Sequence, residues 1–481
     1  MHSPFRTLVA SAAVAGALVS LGTAGSAAPT PAATPATNKI ATTKTATSKT
    51  AQPSVETFAL PNGLQVAFMR LDSAPVVAVQ IWYHAGSKDE ARDRRGAAHM
   101  FEHIMFKGTT RVRPDDHARF LTSVGGTVNA ATDEDATHYL NLVPATYLDF
   151  TLELEAERMR NLVFRDAVIT AEREVVKEEI RQQLNTPITR GFWRFLATAY
   201  TKHPYAWTAA GTIADLDNTK PADLKTFYDA YYQPNNALVV VVGNATLDAV
   251  KASVTKRFGS IAAGPPPPRP SRAAAEPEQT AKRREVAQAS QLGLVVAGYK
   301  IPPAKHVDVY ALQIAALIMG NGESSRLRAR IKNPDAKLKR AIGIDGGVQA
   351  QLREETGMWM MLGAYINAGD VDALEAAMFE EVAKLISSPP TTNELRQAKN
   401  QIQASVTFSL ENVTGMADQI GRSWILTGDA GAFMRDVAAL EKVTAADVVR
   451  VTKQYLTTER ATVLVIPPKT AVLDVAPTGA K

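Results

Sequence analysis

Cysteine is absent from all 481 residues, which excludes disulfide bonds and a lipid-modified N-terminal cysteine. Also missing is an apolar run long enough to cross a bilayer. The nearest approach, Leu8 to about Leu21, is interrupted by Gly and Ser and falls short of the ~20 residues a span needs. Acidic residues are missing from the first 54 positions, which hold Arg6, Lys39, Lys44 and Lys49. Those four account for most of the formal net charge of +5, since the remaining 49 basic residues face 48 acidic ones. A body so nearly neutral gives no electrostatic reason to expect a nucleic acid partner. Large apolar residues are scarce between Pro29 and Pro53, where Ala, Thr, Pro, Ser and Lys dominate, and such a segment cannot bury enough surface to fold.

What is present at the N-terminus is a basic residue, an apolar small-residue stretch and then Ala24-Gly-Ser-Ala-Ala28. This is the pattern of a secretory signal over 1–28, with cleavage after Ala27 or Ala28. The mature product is expected to be soluble, with no membrane span, in an exported compartment such as a bacterial periplasm. Residues 29–53 read as a disordered tether.

The remainder repeats itself. Tyr231-Tyr-Gln-Pro-Asn-Asn-Ala237 and the apolar run after it align without gaps on Tyr455-Leu-Thr-Thr-Glu-Arg-Ala461 and its sequel. Between the copies lies Gly264-Pro-Pro-Pro-Pro-Arg-Pro270, a linker composition. The expected organisation is an N-terminal half at 54–258, a Pro-rich linker at 259–282, a homologous C-terminal half at 283–468 and a flexible tail at 469–481. Within each half, strand-patterned runs such as Leu294 to Tyr299 alternate with longer amphipathic helical stretches such as Thr392 to Leu410. That predicts an α+β fold with mostly antiparallel sheets faced by helices.

Chemistry is concentrated in His99-Met100-Phe101-Glu102-His103. Residues four apart on a helix share a face, so His99 and His103 can address one ion, with Glu102 near the same edge. Neutral imidazole binds zinc well, and a catalytic zinc needs a third protein ligand, often a carboxylate, plus an open position for water. Met100 and Phe101 point the other way and read as core. The helical segment Thr170 to Arg181 offers several carboxylates for the third place: Glu172, Glu174, Glu178 and Glu179.

His-x-x-Glu-His at 99–103, followed downstream by Glu179, resembles the pitrilysin/insulinase family of inverted-motif zinc peptidases. The likeness extends over nearly all of the chain after residue 54. Leu60-Pro-Asn-Gly63, Tyr83 to Glu90, Gly96 to Thr109, Gly125 to Thr132, His203-Pro-Tyr205 and Phe227 to Ala237 follow in family order, and the length suits the branch that includes mitochondrial processing peptidase. The resemblance implies two α/β-roll halves enclosing a cavity, one Zn2+ per chain held by His99, His103 and Glu179, and Glu102 as general base. It implies Glu172 as the partner that orients a ligand, and Asn129 and Ala130 as the strand that receives a peptide or unfolded polypeptide substrate. Glu174 and Glu178 are left as a solvated face, and His138 and His203 as structural.

One departure bears on partners. Many family members carry in the second half an Arg and, seven residues later, a Tyr that bind the substrate carbonyl, in a segment opening Ser-Arg-Leu. Here Ser325-Arg326-Leu327 opens it, but Lys332 and Lys339 occupy the Arg and Tyr positions. Lysine lacks the planar fork of arginine. The expectation is a related partner chain without the motif that supplies the pair, with Tyr299 or Arg326 as substitutes within this chain and a homodimer or a catalytically silent scaffold as the alternative assemblies.

Overall fold

The computed structural model describes residues 54–269, 276–409 and 412–469. The signal segment, the tether, linker positions 270–275 and all of the tail but Lys469 lie outside the described residues.

Two sheets organise the molecule. The first is built from β1 (Glu56–Ala59), β2 (Gln65–Arg70), β3 (Val76–Tyr83), β4 (Thr127–Thr132), β5 (Thr137–Pro144) and β6 (Ala237–Gly243), in the order β1-β2-β6-β3-β5-β4. The second comprises β7 (Arg283–Val286), β8 (Gly293–Ile301), β9 (Asp345–Gln351), β10 (Gly357–Tyr365) and β11 (Ala461–Ile466), in the order β7-β11-β8-β10-β9. Leaving out β1, the two orders correspond strand for strand. Each sheet has one parallel pair, β2 with β6 and β7 with β11, and is otherwise antiparallel. The repeat that relates Ala237 to Ala461 marks the same local structure twice: a helix ending at Tyr231 or Tyr455, a single 3-10 turn, then the central strand β6 or β11.

Both central strands are buried along their whole length, so each sheet must be covered on two faces. Own-half helices cover one face. Val239 and Val241 of β6, for instance, share a core with Phe101 and Tyr228. The other face is covered by exchange. The second-half helix Val413–Thr427 lays Met416, Ala417 and Ile420 on Leu238, Val240 and Val242 of the first sheet. The first-half helix Pro187–Ala199 lays Phe195, Leu196 and Ala199 on Leu294, Val296, Leu464 and Ile466 of the second. Each exchanged helix carries a glycine at its contact: Gly191 lies against Ile466, and Gly421 against the indole of Trp82. The hydrophobic pattern shows that these helices are amphipathic, but not whose sheet they serve.

A cavity of about 620 Å³ lies in the second half, bounded among others by Gln313, Leu317, Val348 and Ile402, with Ile188 and Phe192 contributed by the first. Among the described residues, no helix is long and apolar enough to cross a membrane.

Candidate metal centre

The helix Ala97–Ile104 carries the motif. It starts at Gly96, whose φ of 95° places it in the left-handed region, where glycine carries no Cβ penalty. The first N–H groups of a helix have no intrahelical acceptor. Here Glu90 supplies one: its two carboxylate oxygens accept from Gly96 N–H at 2.7 Å and Ala98 N–H at 2.8 Å. Burial pushes Glu90 up to about 8 against the opposing pull of those two bonds. Met100 and Phe101 are buried on the far side, Phe101 among Phe164, Phe227, Tyr228 and Tyr232. That packing fixes the rotation of the helix, so that His99 and His103 face the helix Asp166–Leu184.

Two helical turns separate Glu172 from Glu179 on that second helix, and both reach the histidines. Glu179 Oε2 lies 3.6 Å from His99 Nε2 and 3.6 Å from His103 Nε2. Glu172 Oε2 lies 3.5 Å from His103 Nδ1, the opposite ring nitrogen. One ligand atom from each of His99, His103 and Glu179 falls within 4.8 Å of the other two. Tetrahedral zinc with bonds of ~2.0–2.1 Å needs ligand atoms about 3.3 Å apart, so the cluster has the right size with small rotamer adjustments. Both ring nitrogens of His99 are buried with no hydrogen-bond partner among the described residues, and a metal bond would satisfy one of them, Nε2, which faces Glu179.

Electrostatics fit a cation as well. Burial, helped by His103, drives His99 down to about 4. Burial also pulls on His103, but hydrogen bonding to Glu172 and Glu179 outweighs it and raises the ring to about 9. Two carboxylates thus favour positive charge at His103, beside an imidazole whose burial disfavours a proton. Glu102, almost fully buried, is raised by desolvation, with Thr132 at the end of β4 pulling the other way. Asn129 is exposed and Ala130 buried on β4, the terminal strand of its sheet, paired only with β5 among the described residues.

The structure brings His99, Glu102, His103, Glu172 and Glu179 together and places β4 beside the motif helix. Glu174 and Glu178 are exposed. His138 stacks on Trp82, and His203 accepts from Tyr205 N–H while facing Glu355. In the second half, Lys332 ends the helix Arg326–Lys332 and pairs with Glu323, and Lys339 has a φ of 57°. Arg326 is held by Glu394, and Tyr299 is buried in the second core beside Trp359. Sequence reasoning missed Glu90 and Lys107, whose ammonium lies 3.2 Å from Glu172. No spacing rule connects either to the site; they meet it through loop geometry.

Two duplicated α+β halves with one His-His-Glu cluster among the described residues, confined to the first half, define the class. Residues 65–213 match the family model described as Insulinase (Peptidase family M16), and residues 219–402 match the Peptidase M16 inactive domain. Zinc protease PqqE of Helicobacter pylori is 31% identical over 420 residues, spanning 86% of this chain and 93% of that protein. Mitochondrial-processing peptidase subunit beta of Blastocladiella emersonii is 23% identical over 432 residues, covering 88% and 90% respectively. A crystal structure of a protease from Helicobacter pylori is similar with a TM-score of 0.80 at 30% identity, covering 86% of this chain and 100% of that one. The chain belongs to the insulinase family, peptidase family M16, on its processing-peptidase-like branch.

Proposed function

We propose that the chain is an exported zinc metalloendopeptidase acting on peptides or unfolded polypeptide segments. The observation that carries this is the convergence of His99, His103 and Glu179 within 4.8 Å with Glu102 buried on the same helix and His99 otherwise unpartnered. Bound by those three residues, zinc supplies Lewis acidity, polarising the peptide carbonyl and lowering the pKa of a water molecule to near ~7. Glu102 takes the proton from the attacking water and delivers it to the leaving amine; its burial keeps it basic enough for both. Glu172 fixes the ring of His103 through Nδ1. Asn129 and Ala130 receive the substrate backbone by strand addition at the open edge of β4, which gives affinity with little sequence preference. Export rests on the signal pattern of residues 1–28.

The decisive comparison is wild type against Glu102→Gln on an unstructured peptide, with metal analysis of both. Zinc should remain at one per chain while the rate falls by ~10²–10⁴-fold. Undiminished cleavage by the variant would remove Glu102 from the mechanism, and a wild type that binds zinc but cleaves nothing would favour the scaffold reading. Lys332 and Lys339 at the Arg and Tyr positions, with Arg326 engaged elsewhere, support a related partner chain that completes the substrate-carbonyl contacts. Full activity from the isolated chain would refute that part alone.

A further inference from the structure

Apolar helices join the halves over most of their contact, but one turn makes its contact largely through charge. The turn between β9 and β10, Leu352–Thr356, carries Arg353, Glu354 and Glu355, and each meets the first half. Glu354 Oε2 lies 2.7 Å from His84 Nε2 and 3.1 Å from Lys88 Nζ, and its backbone N–H donates to Asp135 Oδ2 at 3.1 Å. Arg353 donates to Glu134 at 2.8 Å, and Glu355 lies 2.9 Å from His203. Lys88 is 1% exposed and also donates to the backbone carbonyl of Asp135 at 3.0 Å.

Two of the three contacts of Glu354, those to Lys88 and Asp135, lead to the metal centre by short paths. Lys88 stands two residues before Glu90, whose carboxylate takes the first N–H groups of the motif helix. Asp135 stands three residues after Thr132, which ends β4 and touches Glu102. A single residue from the second half thus ties the loop that starts the motif helix, through its carboxylate on Lys88, to the turn that follows the substrate strand, through its backbone N–H on Asp135.

We propose that Glu354 is a positioning residue that sets the motif helix and β4 relative to one another, so that the half without metal ligands helps to shape the site in the other. This rests on the reading of the His99, His103 and Glu179 cluster as the metal site. A buried ion pair that only glued the halves together would contribute stability and nothing specific to the site, and the test separates the two roles.

Glu354→Gln keeps the shape and removes the charge. Glu354→Asp keeps the charge on a shorter stem. Arg340→Gln, which breaks the bidentate pair with Asp370 far along the second half, controls for lost ion pairing. For each full-length variant, thermal midpoint, Zn2+ affinity against a chelator, kcat and KM are measured well below the melting range. Glu354→Gln should lose on the order of 10- to 100-fold in kcat with KM nearly unchanged, because misplacement by about 1 Å can cost ~10²-fold. Its zinc affinity should fall in the same sense, with partial recovery in Glu354→Asp and no such loss in Arg340→Gln. Unchanged kcat and zinc affinity in a folded Glu354→Gln would overturn the proposal, as would equal losses in Arg340→Gln. If Glu354→Gln does not fold, Glu354→Asp decides: lowered kcat at a wild-type melting point supports positioning, and wild-type kcat refutes it. Should the wild type itself cleave no peptide, zinc affinity still reads the positioning, and only the peptidase assignment falls.

Discussion

Glu179 and Glu178 are neighbours on one helix with opposite environments, one at 3.6 Å from two imidazoles and the other exposed beside Arg181. Glu179→Ala should therefore abolish stable zinc retention, since removing one of the three proposed ligands leaves an incomplete site, whereas Glu178→Ala should leave metal content unchanged. Metal analysis after dialysis against a weak chelator checks both, and the reverse outcome would displace the assigned ligand by one position. At this scale the site was legible wherever a fixed helical spacing set the geometry, as for His99, Glu102 and His103. The choice of Glu179 among four carboxylates came from family resemblance rather than from spacing. Glu90 and Lys107 were illegible because each reaches its target through a turn, and a turn's direction is not written in residue spacing.

The exchanged helices give a prediction at the level of elements. A methyl group on Gly421 would fall inside the indole of Trp82, which is itself pinned by its bond to Gln80 and by stacking on His138. On Gly191 the methyl would meet the flexible tip of Ile466 at 2.7 Å. Replacing a mid-helix glycine by alanine gains ~1 kcal/mol of helix propensity, against ~1–3 kcal/mol for overpacking a core that cannot yield. Gly421→Ala should therefore destabilise the protein and lower its melting temperature by a few degrees, while Gly191→Ala should lie near neutral. Equal effects in urea titrations would mean that the Trp82 side relaxes as easily as Ile466. Strand-patterned runs such as Leu294 to Tyr299 were readable from their apolar, β-branched content, and the duplication from the match of Tyr231–Ala237 to Tyr455–Ala461. The crossing of helices between sheets was not, because an amphipathic face specifies that it is buried, never against what.

For the whole molecule, two carboxylates that link the halves respond to acid together. Glu276 lies within the linker. Despite burial, the N–H groups of Lys202, His203 and Thr201 and the ammonium of Lys300 hold it at about 2, against an ordinary 4.5. Glu354, also in spite of burial, is held at about 2 by His84 and Lys88. A carboxylate whose folded pKa is depressed contributes stability in full above its unfolded value and loses it as pH falls toward the folded one. The melting temperature should hence be insensitive to these groups above about pH 5 and drop between pH 4.5 and 2, with a shallower drop in Glu276→Gln. A profile unchanged by that substitution would show that other groups govern acid unfolding.

The exchange of helices also imposes a schedule. The outer face of the first sheet, with Leu238, Val240 and Val242, is complete in sequence by Gly243, yet its cover is finished only at Thr427, after most of the second half has been made. A chain emerging N-terminus first leaves that valine-rich surface open until the helix ending at Thr427 has followed it. Glu354 also arrives within that interval, so the motif helix is made well before the contact we propose positions it.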